Sequence, residues 1–228
     1  MNLALLGKDI SHSRSPEIYE KISGGTVNYK LLDYPTAGDI PQIETLFSEN
    51  NLDGLSITAP YKRVYLDHVQ IEDPLVKKLD CINAIAQSDD GFFATNTDWL
   101  ALCSLFPKYF TNSFDHVVLL GDGSMSKMTA EYLSEKKISF EVVSRKAGNL
   151  NSDFFTQKCH PVFLINCISR NYLFEFTLPS GSIFWDYNYN RPEQKDKILK
   201  CSSSYIDGFE FLYSQGEHAY KFFTNING

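Results

Sequence analysis

The 228-residue chain has no apolar run that approaches the length of a membrane span. It also lacks a low-complexity linker and a short-period repeat. Its opening, "MNLALLGKDI", has neither the basic leader nor the apolar core of a signal peptide. Positive charge is in deficit: 21 Lys and Arg against 28 Asp and Glu leave a net charge of -7. That balance argues against nucleic acid as a bulk partner, so an anionic ligand must be drawn in by local cations or helix ends. The five cysteines (Cys81, Cys103, Cys159, Cys167, Cys201) are odd in number, scattered, and without a C-x-x-C pair. Buried free thiols in a reducing compartment are expected, with no metal site. Cytoplasm is the expected location, with neither membrane nor nucleic acid as partner.

What is present belongs to a packed protein: 43% hydrophobic and 14% aromatic residues are enough for one large domain or two small ones. Short apolar strands alternate with helical periods, the signature of an α/β fold. "LALLG" is a first strand and "SPEIYEKIS" a helix with Ser15 at its N-cap and Pro16 behind it. "VNYKLLDY" is a second strand, and "DIPQIETLFSEN" a helix burying Ile40, Ile43, Leu46 and Phe47. "LDGLSIT" is a third strand, and "CINAIAQ" with "GFFATNT" forms a hairpin around Asp89-Asp90-Gly91. In the second half, "HVVLLGDGSMSKMTAEYLSEKKISFEVVSRK" is strand, glycine turn, helix and strand. Met125, Met128, Thr129, Tyr132 and Leu133 mark the buried face of that helix. "VFLINCI" and "SIFWDY" are further strands. The last helix, from about Gly208, carries Phe209, Leu212, Tyr213, Gly216, Tyr220 and Phe223 on one stripe.

Three stretches carry candidate chemistry. "LLGDGSMS" sets Gly121-x-Gly123-x-x-Ser126 between a strand and a helix, the context of a dinucleotide fingerprint, with Ser126 where Gly or Ala is standard. The bland alternative is a glycine turn of any α/β protein. The next strand ends in Ser144-Arg145-Lys146 where a NAD site usually has an acid, which suits a 2'-phosphate and points to NADP; otherwise these are solvated loop residues. "SITAPYK" places Lys62 and Arg63 in what spacing predicts to be a helix's first turn. There the dipole opposes a cation, harmlessly at an exposed site, or usefully if it tunes Lys62 for proton transfer. "NTDWLAL" opens another helix with Thr97 or Asp98 as cap or dipole partner, and "CINAI" places the amide of Asn83 in an apolar strand. Spacing alone does not pair Lys62 with Asp98.

"GKDISHSRSPEIYE", "GLSITAPYK", "CINAI", "NTDWLAL", "LLGDGSMSK", "VSRK", "INCIS", "WDYNYN" and "DGFEFLYSQGEHAYKFF" occur in the order and approximate spacing of shikimate dehydrogenase, and the chain resembles that family over nearly its whole length. The resemblance implies an α/β substrate-binding domain over 1–100, completed by 205–228, and a Rossmann-like NADP-binding domain over 101–204. It implies NADP-dependent interconversion of 3-dehydroshikimate and shikimate, a step of aromatic amino acid biosynthesis, by a monomer or homodimer acting on a small molecule. Lys62 and Asp98 take the places of the catalytic pair, and Ser13 and Ser15 those that hold the substrate carboxylate. Thr58, Asn83 and Gln215 take those that meet substrate hydroxyls, and Tyr189 the one near substrate and nicotinamide. Gly121, Gly123, Ser124, Ser144, Arg145, Lys146 and Gly208 fall on the cofactor side.

The chain departs from the family pattern at several positions. Ser56 stands for a usual Asn, Ser124 and Met125 for Gly or Ala, and Glu210 for a usual Gly. "INCISR" lacks the small and glycine residues expected after it. The stretch 145–161 has room for one short crossover where the family has an additional strand and helix, so the cofactor half is expected to be trimmed. Two alternatives stay open: a dehydrogenase of altered specificity for quinate or an aminated analogue, and a non-catalytic shikimate-binding sensor.

Overall fold

The computed structural model describes residues 1–111, 114, 116–158, 160–201 and 203–227. The chain divides into two compact units, Met1–Ala101 with Tyr213–Gly228, and Leu102–Leu212.

The first unit contains β1 (Asn2–Gly7), α1 (Ser15–Ser23), β2 (Asn28–Asp33), α2 (Ile43–Asn50), β3 (Gly54–Ile57), α3 (Pro74–Leu79), β4 (Ala84–Ser88) and β5 (Gly91–Thr95). Its sheet runs β2-β1-β3-β4-β5, with β1 parallel to β2 and β3, and β4 antiparallel to both its neighbours. Alternation along the strands sends side chains to opposite faces. Leu6, Leu55, Ile57 and Ile85 pack with Ile43, Leu46 and Phe47 of α2. Leu3, Ala84 and Ala86 pack on the other face with Tyr19 of α1 and with Ala219 and Phe223 of α8 (Phe209–Asn227). β4 and β5 form the expected hairpin, Ser88 pairing with Gly91 across a two-residue turn.

Two local expectations shift. The helix expected from Asp39 starts at Ile43, because Pro41 disfavours helical geometry just before it and Thr36 closes a separate turn with Asp39. α3 was not anticipated from periodicity. Its start is nevertheless a D-P signal: the Asp73 carboxylate accepts from the Leu75 N–H at 2.8 Å, with Pro74 in the first turn.

The second unit receives the end of α4 (Thr97–Tyr109), then β6 (Val117–Leu120), α5 (Ser124–Glu135), β7 (Phe140–Val143), α6 (Ser152–Thr156), β8 (Phe163–Asn166), β9 (Ile183–Asp186), α7 (Pro192–Lys200) and β10 (Ser204–Ile206). All its strands are parallel, in the order β10-β9-β8-β6-β7. Every residue of β6 and β8 is buried, as in a sheet covered on both faces. This is a Rossmann-like sheet with β10 and β7 as its edges. One crossover, the five-residue α6, joins β7 to β8, so the cofactor half is trimmed as expected.

The α8 stripe matches the expected one only at Gly216 and Phe223. Its buried residues are Phe211, Gly216, Ala219 and Phe223, while Phe209, Leu212, Tyr213 and Tyr220 are half-exposed. The cause is that α8 serves two cores. Phe211 stacks on Tyr187 in the second unit, whereas Phe223 lies beside Tyr19 in the first. The strand β10, also unanticipated, keeps 204–206 in the second unit.

Cys81, Cys103, Cys167 and Cys201 form no disulfide, and among the described cysteines only Cys81 is classed as buried; Cys159 lies outside the described residues. Among the described residues no His, Cys, Asp and Glu cluster could hold a metal ion, and no helix is long and apolar enough to cross a membrane.

Candidate active site

The "SHSRSP" stretch folds into a hydroxyl pair. Ser15 is the first residue of α1, not its N-cap; Arg14 occupies the cap position without a side-chain bond. A turn in which the Ser13 N–H donates to the Ile10 carbonyl brings the Ser13 hydroxyl back over the helix start. There it accepts from the Ser15 N–H at 3.2 Å and donates to the Ser15 hydroxyl at 3.1 Å. Two hydroxyls therefore converge on a helix N-terminus, an environment that favours an anion.

Lys62 does not lie in a helix. After Thr58 the chain makes successive turns, with N–H groups of Tyr61, Val64 and Leu66 donating to carbonyls of Thr58, Tyr61 and Arg63. The expected placement of Lys62 in a helix's first turn is therefore corrected, and its own segment supplies no helix dipole. What Lys62 has instead is Asp98: Nζ lies 2.5 Å from Oδ2, and the two side chains are only 14% and 11% exposed. Asp98 sits in the first turn of α4, where the dipole favours a carboxylate.

The start of α4 is tied down from three directions. The Asn96 side-chain oxygen accepts from the Trp99 N–H at 3.1 Å, so the cap is Asn96 rather than Thr97 or Asp98. The Asn83 Oδ1 accepts from the Thr97 N–H at 2.6 Å. The Thr97 hydroxyl lies 3.1 Å from that same oxygen and 3.3 Å from Gln215 Oε1, donating to one or the other. These bonds leave the Asn83 amide nitrogen and the Thr58 hydroxyl without a hydrogen bond among the described residues. Lys62, Asp98, Asn83 and Gln215 are thus brought to the opening of one helix. Among the described residues, Ser13 and Ser15 share no hydrogen bond with that group.

Two neighbours were not singled out as site residues from sequence. Asn96 donates through Nδ2 to the Cys81 carbonyl at 3.0 Å and to its sulfur at 3.2 Å. Burial pushes the Cys81 thiol up, against the Lys62 charge, so it stays protonated beside the ion pair. Ser56, where the family has an amide, meets the Tyr19 hydroxyl at 3.1 Å under the sheet. Burial likewise raises the Tyr19 phenol.

The glycine turn follows β6. Gly121 has φ +111°, and a Cβ there would lie 3.2 Å from the Cys167 carbonyl carbon, so only glycine is unstrained. Gly123 takes the N-cap position of α5 with no side-chain bond, and a Cβ on it would meet nothing within 4 Å. Ser124 opens the helix in solvent, and Ser126 is buried as the small third residue. The helix start thus has no side-chain cap and open space beside Gly123, the arrangement that receives a phosphate. Arg145 and Lys146 are exposed, with no side-chain hydrogen bond or ion pair among the described residues. Ser144 differs from expectation: it is buried, and its hydroxyl accepts from the Ala147 N–H at 3.1 Å while lying 3.4 Å from Asp122 Oδ2. It builds the loop more than it faces a ligand. An uncapped helix start and two unpaired cations still fit a phosphate-bearing dinucleotide.

At the end of β9, the buried Asp186 carboxylate accepts from Asn166 Nδ2, from the Asn188 N–H and Nδ2, and from the Tyr205 hydroxyl, at 2.9 to 3.0 Å. Burial raises its pKa despite these donors. The network anchors the loop that carries Tyr189, whose ring lies under the Arg170 guanidinium, 5.6 Å from the centroid. Gly208 packs against that loop: a Cβ would fall 2.5 Å from the Tyr187 carbonyl oxygen.

Residues 5–85 match the shikimate dehydrogenase substrate binding domain. A shikimate dehydrogenase (NADP(+)) of Staphylococcus aureus is 32% identical over 259 residues, covering 99% of this chain and 93% of the relative. The chain belongs to the shikimate dehydrogenase family. That match is longer than the 228 residues present here, so this family relative carries positions without a counterpart in the chain. Two solved structures share the fold. A shikimate dehydrogenase from Aquifex aeolicus gives a TM-score of 0.79 at 17% identity, covering 99% of this chain and 92% of that one. One from Thermus thermophilus, in complex with NADP(H) and shikimate, gives 0.73 at 20% identity, covering 99% and 94%.

Proposed function

We propose that this chain is an NADP-dependent shikimate dehydrogenase interconverting shikimate and 3-dehydroshikimate, with a substrate-binding first unit and an NADP-binding second one. The observation that carries the proposal is the Lys62–Asp98 pair, 2.5 Å apart and largely shielded, beside the amides of Asn83 and Gln215. NADP, when bound, supplies or takes up the hydride. Reduction of a ketone builds negative charge on its oxygen, and Lys62 donates the proton that neutralises it. In the oxidation Lys62 receives that proton from the substrate hydroxyl. Asp98 holds the ammonium in place and orients it.

Ser13 and Ser15 receive the substrate carboxylate at the head of α1. Thr58 and Asn83 offer uncommitted donors to ring hydroxyls, joined by Gln215, and Tyr189 works beside substrate and nicotinamide. The backbone around Gly121, Gly123 and Ser124 takes the pyrophosphate. Arg145 and Lys146 take the 2'-phosphate, Ser144 shapes their loop, and Gly208 lets the backbone approach the nicotinamide.

One observation favours a second reading, a shikimate-binding sensor without turnover: the single short crossover between β7 and β8. The two separate in one assay. Purified chain with shikimate and NADP is expected to form NADPH. Shikimate binding by calorimetry with no NADPH formed overturns the enzyme and leaves the sensor.

A further inference from the structure

Beside the end of β7 lies a carboxylate that no role above uses. In a NAD site an acid at the end of the second strand receives the ribose 2'-hydroxyl. Here the corresponding strand end is Ser144-Arg145-Lys146, and the acid comes from the glycine turn instead. Asp122 is exposed, and its Oδ2 lies 3.4 Å from the Ser144 hydroxyl. Ser144 Oγ already accepts the Ala147 N–H, so its own proton is free to point at Asp122 and fix the carboxylate beside the loop. Asp122 forms no ion pair with Arg145 or Lys146 among the described residues, so its charge is not cancelled locally. Two cations and one carboxylate therefore share the place where the adenosine ribose is expected.

We propose that Asp122 is a nucleotide-selectivity residue: it accepts from a ribose 2'-hydroxyl and repels a 2'-phosphate, so that NAD competes with NADP. The proposal rests on the reading that the glycine turn and residues 144–146 hold the nucleotide. A 2'-hydroxyl can donate to a carboxylate, whereas a 2'-phosphate only brings a like charge towards it. Arg145 and Lys146 pull in the opposite direction, and the balance sets a weak preference instead of a strong one.

Calorimetry on the full chain with ADP-ribose and 2'-phospho-ADP-ribose tests this without turnover. Asp122→Asn, which keeps the shape and removes the charge, is expected to raise the preference for the 2'-phosphate ligand about tenfold, and Arg145→Ala to lower it. Asp122→Ser, checked for an unchanged thermal midpoint, should shift it in the same direction as Asp122→Asn. If both Asp122 variants leave the ratio within about threefold while both ligands bind, the assignment of Asp122 is wrong and the nucleotide site stands. If neither ligand binds the wild-type chain, the nucleotide reading falls and the proposal with it.

Discussion

At the opening of α4 in the first unit, side chains bind one another: Lys62 to Asp98, Asn83 to Thr97, and Thr97 towards Gln215. At the strand ends of the second unit, the side chains that bind one another build the loops, Asp186 with Asn166, Asn188 and Tyr205, and Ser144 with Asp122. What that unit leaves for a ligand, among the described residues, is a helix start without a side-chain cap, two cations without an ion pair, and the Asp122 carboxylate. The first arrangement is a positioned chemical site, in which each group holds the next in one geometry. The second is a binding cradle, whose fit comes from glycine geometry and local charge. Catalysis and cofactor capture should therefore fail separately.

The largest separation is expected at Gly121. Gly121→Ala forces a side chain into a φ of +111°, against the Cys167 backbone. Affinity for NADP should fall about tenfold or more, with shikimate affinity unchanged by calorimetry. A parallel loss of shikimate binding would mean that the two sites are not separable.

Asn83→Ala should do the reverse. It leaves the buried Thr97 N–H without its acceptor and removes a donor from the substrate side. Stability in urea should drop by about 1–3 kcal/mol, and the KM for shikimate should rise while nucleotide affinity holds.

The smallest effect lies in Glu210. Hydrogen bonds from Lys108 and Tyr109 hold its carboxyl below the usual carboxylate range. The folded state thus binds that proton less tightly than the unfolded chain. The contribution is complete above the unfolded value and is lost as pH falls through the folded one. Glu210→Gln should lower the thermal midpoint near neutrality by about 2 °C or less, the exposed pair being weak. The gap should close on acidification; a gap that persists at low pH would remove the ionic cause.

The same contrast governs what could be read from the amino-acid sequence. The strand, glycine turn and helix around Gly121 are contiguous, so periodicity and spacing were enough to place them. Lys62 and Asp98 stand 36 residues apart and meet because a turn after β3 and the β4–β5 hairpin return the chain to the same place. No local pattern encodes that: each residue was a candidate from its own stretch, but only the family resemblance paired them. Local rules misplaced the cap at Ser15, because the Ser13 hydroxyl reaches it through a turn at Ile10 that no cap motif describes. They also drew a helix through Lys62, where consecutive turns follow Thr58. The three residues of β10 and the five of α6 are too short to show a period. The α8 stripe held only at Gly216 and Phe223 because one helix serves two cores.

The central claim is that Lys62 moves the proton while the rest of the first unit holds the substrate. Lys62→Ala measured both ways, for NADPH formation and for shikimate affinity by calorimetry, tests it most directly. Turnover should fall by about 10²- to 10⁴-fold with affinity changed only modestly. A loss confined to affinity, with turnover at saturation intact, would contradict it.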